Sequence, residues 1–157
     1  MFKRIVVAID GSQTSRRAFE AALDLAQIHG AVLQPFYVVE NTPLYFDVPG
    51  YDPSALRTQL VEQGKTLGSE SIEAMRARGI EGDVAIGEAT SLDDVSALVL
   101  KAARDFNADL LVMGTHGRKG FQRLILGSVA ERCLRQATLP VLLIPSAAGS
   151  ETPAEQS

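Results

Sequence analysis

The chemistry of this chain is densest between residues 114 and 128, where Gly114, Gly117, Gly127 and Ser128 follow the spacing Gly-x2-Gly-x9-Gly-Ser. An apolar run, Leu110 to Met113, leads into this loop, and a helical pattern begins at Ser128. Glycines there allow backbone angles closed to other residues, so that successive N–H groups converge on an anion while Ser128 adds a hydroxyl at a helix N-terminus. The expected chemistry is phosphate binding. The spacing is not that of a P-loop, because Lys119 does not follow a glycine at the required place, and it is not G-x-G-x-x-G.

Other groups gather near this loop. Asp10 ends an apolar run, where it reads either as a ligand-facing carboxylate or as an anion stabilising the N-terminus of the next helix. His116 could act as a general base, but no second histidine or cysteine is spaced to pair with it. The preferred reading is a loop residue that turns the chain or touches phosphate. Arg118, Lys119, Arg123, Arg132 and Arg135 make the neighbourhood basic in a chain of net charge −4. That overall charge argues against a nucleic-acid backbone as the main partner. Cys133 is the single cysteine, which excludes an internal disulfide and a thiolate zinc site and reads as a small core residue. No catalytic residue and no metal ligand set is assigned.

These groups need a scaffold, and 157 residues with 46% hydrophobic content are enough for one domain with its own core. Ile5 to Ile9 reads as a strand covered on both faces. Ser12 or Thr14 caps a helix running to about His29, with Gly30 as its stop. Ala31 to Val39 is a second strand, and Asp52-Pro53 opens a helix to about Arg78, although Gly64 and Gly68 interrupt it. Val84 to Ile86 forms a third strand ending at Gly87, and Ser91 opens a helix through Phe106. Leu110 to Met113, Ser128 to Gln136 and Val141 to Ile144 complete the set. Alternating strands and helices imply an open parallel sheet with helices on both faces. Asp10 and the glycine loop share one ligand if the first and fourth strands are neighbours, as in order 3-2-1-4-5; that order rests on the motif rather than on periodicity. The aromatic stretch from 40 to 53, with Tyr45, Phe46 and Tyr51, reads either as a loop pinned to its own domain, the preferred reading, or as a lid over a ligand or a partner surface. The tail 147–157 is expected to be disordered, leaving 1–146 as the domain. The opening segment is too short for a signal sequence or membrane span, so a cytoplasmic protein without membrane insertion is expected.

Four segments in order, Val6 to Ser12, Asp109 to Gly117, Gly127 to Glu131 and Pro140 to Ile144, resemble the universal stress protein family in its nucleotide-binding branch. The resemblance implies a Rossmann-like fold and an adenine nucleotide, usually ATP, with Mg²⁺ or Mn²⁺ as the accompanying cation. Its phosphates would lie on the stretch that begins after Met113, from Gly114 and His116 through Gly117 and Arg118 to Gly127, Ser128 and Val129. Asp10 would hold the ribose or phosphate side, the Val39 backbone would meet the adenine, and Ala8 would lie near the same floor. It also implies a homodimer through Val141 to Ile144, in keeping with an apolar edge strand that needs covering. Ala89 and Leu139 depart from the family pattern, in which proline and a small residue or cysteine are common there.

Three functions follow as expectations. The first is a dimeric stress-response regulator whose nucleotide state alters partner binding. The second is a slow Mg-dependent ATPase in which Asp10 helps hold the metal. The third is a nucleotide-free interaction protein acting on a membrane transporter or signalling enzyme. The loop reads phosphate better than base, so ATP, AMP and cyclic or dinucleotide variants stay open at this point.

Overall fold

The structure, a computed structural model, describes residues 1–40, 49–50, 52–116 and 126–147. Five strands, β1 (Arg4–Ile9), β2 (Val32–Glu40), β3 (Ala85–Ala89), β4 (Leu110–Gly114) and β5 (Val141–Ile144), alternate with four helices, α1 (Gln13–His29), α2 (Pro53–Ala77), α3 (Leu92–Asp105) and α4 (Ser128–Gln136). The sheet is parallel throughout, in the order β3-β2-β1-β4-β5. The expected order 3-2-1-4-5 is therefore the observed one.

Alternation along each strand divides the core into two layers. Ile5, Val7 and Ile9 of β1 pack with Leu33, Tyr37 and Val39 of β2 and with Ala18, Ala22, Leu23 and Met75 of α1 and α2. Val6, Phe36, Leu111 and Met113 face the other way, against Val99 and Leu100 of α3 and Ala130 and Cys133 of α4. Burial on both faces is why the central strands read as unbroken apolar runs.

Pro35 sits in β2 although that strand has neighbours on both sides. Leu33 N–H, two residues earlier, points toward the β3 side and donates to Glu81 C=O. Pro35 shares that direction, and β3 pairing begins only at Phe36 with Ala85, so the missing N–H falls ahead of the ladder.

Three local expectations are refined. Gly64 and Gly68 do not break α2, because they let it approach the sheet: a Cβ on Gly64 would lie 2.6 Å from the Tyr37 ring, and one on Gly68 would lie 3.2 Å from Val84. Gly87 does not end β3, which runs on to Ala89; its bare Cα leaves room for Phe36, whose ring a Cβ would approach to 2.9 Å. β2 runs from Val32 to Glu40 rather than from Ala31 to Val39. The expected caps at Ser12, Asp52 and Ser91 each accept a backbone N–H bond, and Gly30 ends α1 in the left-handed region at φ 64°. Tyr45, Phe46, Tyr51 and residues 148–157 of the tail lie outside the described residues.

Candidate functional site

The winding direction reverses between β1 and β4, so their carboxyl ends open onto a common crevice. The register pairs Val7 with Val112, and continuing it puts Asp10 level with Thr115. On the other side Ile9 pairs with Tyr37, which puts Val39 at the same edge, one strand away. Sequence-distant residues 10, 39 and 115 thus meet at one rim.

The β1 end is locked by local bonds. One Asp10 carboxylate oxygen accepts the Ser12 N–H at 2.8 Å, while Asp10 N–H donates to Ser15 Oγ at 2.9 Å. Ser12 Oγ in turn accepts the Ser15 N–H at 3.1 Å. Asp10 therefore has a helix-capping role, the structural alternative foreseen for it. Ser15 is a residue that sequence reasoning missed; the signal was Ser-x-x-Ser at the helix start, the spacing of a capping box, here with Ser15 Oγ taking the Asp10 N–H while Asp10 takes that of Ser12.

The β4 end meets the first turn of α1. A Cβ on Gly114 would stand 2.7 Å from Thr14 Cγ2 and 3.2 Å from the His116 carbonyl. Thr115 N–H donates to Ile144 C=O at 3.0 Å, and its own carbonyl accepts the Gly127 N–H at 2.8 Å. Thr115 is thus a second missed residue, a clasp joining β5, the β4 loop and the start of α4. At Gly127 an added Cβ would lie 2.9 Å from that same carbonyl, so glycine is required for the approach.

Ser128 was expected to place its hydroxyl at the N-terminus of α4, as a phosphate ligand, as the cap, or as both at once. The cap is Gly127, which has no side chain to accept from the first-turn N–H groups. Ser128 is the exposed first helical residue, with half-buried Val129 after it. N–H groups at the positive end of a helix are donors suited to an anion. Beside them stands His116, 7% exposed, with Nδ1 3.0 Å from Thr115 Oγ1. Among the described residues its Nε2 is the one buried side-chain nitrogen or oxygen without a hydrogen-bond partner.

The remaining expected residues separate into side chains that face away and residues outside the described ones. Ala8 and Met113 put their side chains into the α3 and α4 layer, and Val39 points into the opposite layer, so only their backbones face the rim. Gly117, Arg118, Lys119 and Arg123 lie outside the described residues. Arg135 is engaged by Glu131 at 2.7 Å on the α4 surface. Cys133 is fully buried, and burial pushes its thiol up to about 11. Among the described residues no group of three or more His, Cys, Asp or Glu side chains could hold a metal, and no helix is long and apolar enough to cross a membrane.

An open parallel sheet in the order β3-β2-β1-β4-β5, with glycine-dependent close approaches at its switch point, defines a Rossmann-like α/β domain. The family model described as universal stress protein family matches residues 1–145, and the chain belongs to that family. It is 36% identical over 145 residues to a universal stress protein of Thermus aquaticus, covering 92% of this chain and 99% of the relative. A crystal structure of a family member from Burkholderia pseudomallei is 42% identical, with TM-score 0.76, covering 92% of this chain and 96% of that one. Two further structures share the fold at 23% identity. One is a universal stress protein in complex with cAMP, TM-score 0.65, covering 93% of this chain and 98% of that one. The other is the protein of Archaeoglobus fulgidus in complex with dAMP, TM-score 0.62, covering 90% of this chain and 97% of that one.

Proposed function

We propose that the chain is a cytoplasmic, homodimeric ATP-binding regulator that acts through nucleotide-dependent partner interaction, with residues 1–146 as its binding domain. The observation that carries this reading is His116, buried at the end of β4 with its Nε2 unpartnered and its Cα 3.6 Å from where a Cβ on Gly127, the cap of α4, would stand. A buried polar nitrogen left unmatched in this way costs stability unless an occupant supplies its partner. Phosphate oxygens meet that need, and the cAMP and dAMP complexes of two relatives point to adenine nucleotides.

In this reading Gly114, Gly117, Gly127, Ser128 and Val129 cradle the phosphates, with His116 and Arg118 beside them. Asp10 meets the ribose side, and the backbones of Ala8, Val39 and Met113 form the floor. Mg²⁺ or Mn²⁺ would bind mainly through the phosphates. β5 supplies the dimer contact, since all four of its residues are only half-buried at the sheet edge. The deciding experiment is calorimetric titration of nucleotide-stripped protein with Mg-ATP and with Mg-GTP. Saturable binding of ATP with little heat from GTP is expected; no binding of either would overturn the reading.

A further inference from the structure

We propose that the outer groove of α1 is a docking surface for acidic segments, and that its resident occupant is the C-terminal stretch of the same chain, residues 148–157, with Glu151 drawn to Arg16 and Arg17. The groove encloses about 430 Å³ along α1, from Gln13 to Asp24, and Ile144 at the end of β5 forms part of its wall.

The two ends of the groove differ in charge balance. Toward the C-terminal end of α1, Glu20 and Asp24 are both bonded by Arg78. At the other end Arg17 donates to the uncharged carbonyl of Pro145, and the Arg16 guanidinium has no bonding partner among the described residues. Two exposed cations thus stand side by side without a carboxylate to answer them.

The chain beyond β5 supplies the opposite charge. It leaves the sheet at Pro145, the residue that Arg17 already holds, so it sets out from the basic end of the groove. Residues 148–157 carry Glu151 and Glu155 and no lysine, arginine or histidine. Glu151 comes four residues after Ala147, within about 13 Å of extended chain, and the groove follows the helix for about 16 Å. The segment therefore reaches. Being tethered at Pro145, it also avoids most of the association entropy that a free peptide would lose. Exposed ion pairs are individually weak and screened by salt, so the contact centres on Glu151 and loosens as ionic strength rises. An acidic segment of another protein meets a groove already occupied, and the chain's own C-terminal stretch acts as its competitor.

The test is a charge swap in the full chain, comparing Arg16→Glu, Glu151→Arg and the double variant with the natural protein by amide NMR at about 0.05 M salt. Backbone order parameters of Ser150, Glu151 and Thr152 are expected above about 0.6 in the natural protein and below it in each single variant. The double variant should return above that level, because the two charges are exchanged rather than lost. Amide shifts between Gln13 and Asp24 should move in Glu151→Arg, and about 1 M salt should have the same effect on the natural protein. Order parameters below about 0.6 in the natural protein at low salt, or a double variant no better ordered than the single ones, would overturn the assignment. Order that disappears on tenfold dilution would mean that the groove takes the segment of a second copy, which overturns it as well. If Arg16→Glu does not fold, Glu151→Arg alone decides, since α1 shifts identical to those of the natural protein leave the groove without this occupant.

Discussion

At Gly127 the absence of a side chain is what brings the start of α4 against the β4 loop. A methyl group there would lie 2.9 Å from the Thr115 carbonyl, and that carbonyl is already held by the Gly127 N–H, so it has little freedom to move. Gly127→Ala is therefore expected to lower Mg-ATP affinity by about tenfold or more and to cost about 1–2 kcal/mol of stability. Calorimetry and urea unfolding measure the two effects separately. Cys133 gives a prediction in pH. Its thiol is raised from 9.0 to about 11 by burial, so the folded state holds the proton more tightly than the unfolded state does. The resulting stability is intact below pH 9 and is lost as pH rises toward 11. Native protein should resist thiol reagents at pH 8 and react fully in denaturant; rapid native labelling would contradict the burial.

Among the elements, α2 shows how packing overrides helix propensity. Replacing Gly64 with Ala removes a helix penalty of about 1 kcal/mol, yet the new methyl would sit 2.6 Å from the ring of Tyr37, which is fully buried. Overpacking costs about 1–3 kcal/mol, so Gly64→Ala should destabilise by about 1 kcal/mol. Gly68→Ala, facing the Val84 methyl at 3.2 Å, should be close to neutral. Urea midpoints for the pair test this, and a stabilised Gly64→Ala protein would show that α2 can retreat from the sheet. The far end of α2 is tied to α1 by Arg78, which bonds Glu20 at 2.9 Å and Asp24 at 2.6 Å. Glu20 and Asp24 are well exposed, so this cluster orients the two helices more than it stabilises them.

For the whole molecule the open question of assembly falls on β5. The carbonyls of Pro140 and Ile144 both accept from the β4 side, so by strand alternation the backbone groups of Val141 and Leu143 point outward, toward any partner. Leu143→Pro removes an outward N–H without touching the β4 ladder. If β5 forms the dimer contact, this variant should sediment as a folded monomer while the natural protein sediments as a dimer. A variant that remains dimeric would move the interface elsewhere.

Strand and helix identities were legible in the amino-acid sequence because they follow from local patterns: double-sided burial leaves unbroken apolar runs, and Ser12, Asp52 and Ser91 announce helix starts through nearest-neighbour hydrogen bonds. The glycines at 114 and 127 likewise marked positions of close backbone approach, which only glycine tolerates. Local signals could not say that Gly64 and Gly87 serve packing rather than chain breaking, because Tyr37 and Phe36, the rings they admit, are distant in sequence. Nor could they place Thr115 between Ile144 and Gly127, show that Asp10 is engaged by its own helix, or show that one nitrogen of His116 is left without a partner. Each of these depends on which strands lie side by side, and that is decided only when long-range burial brings β1, β4 and β5 together.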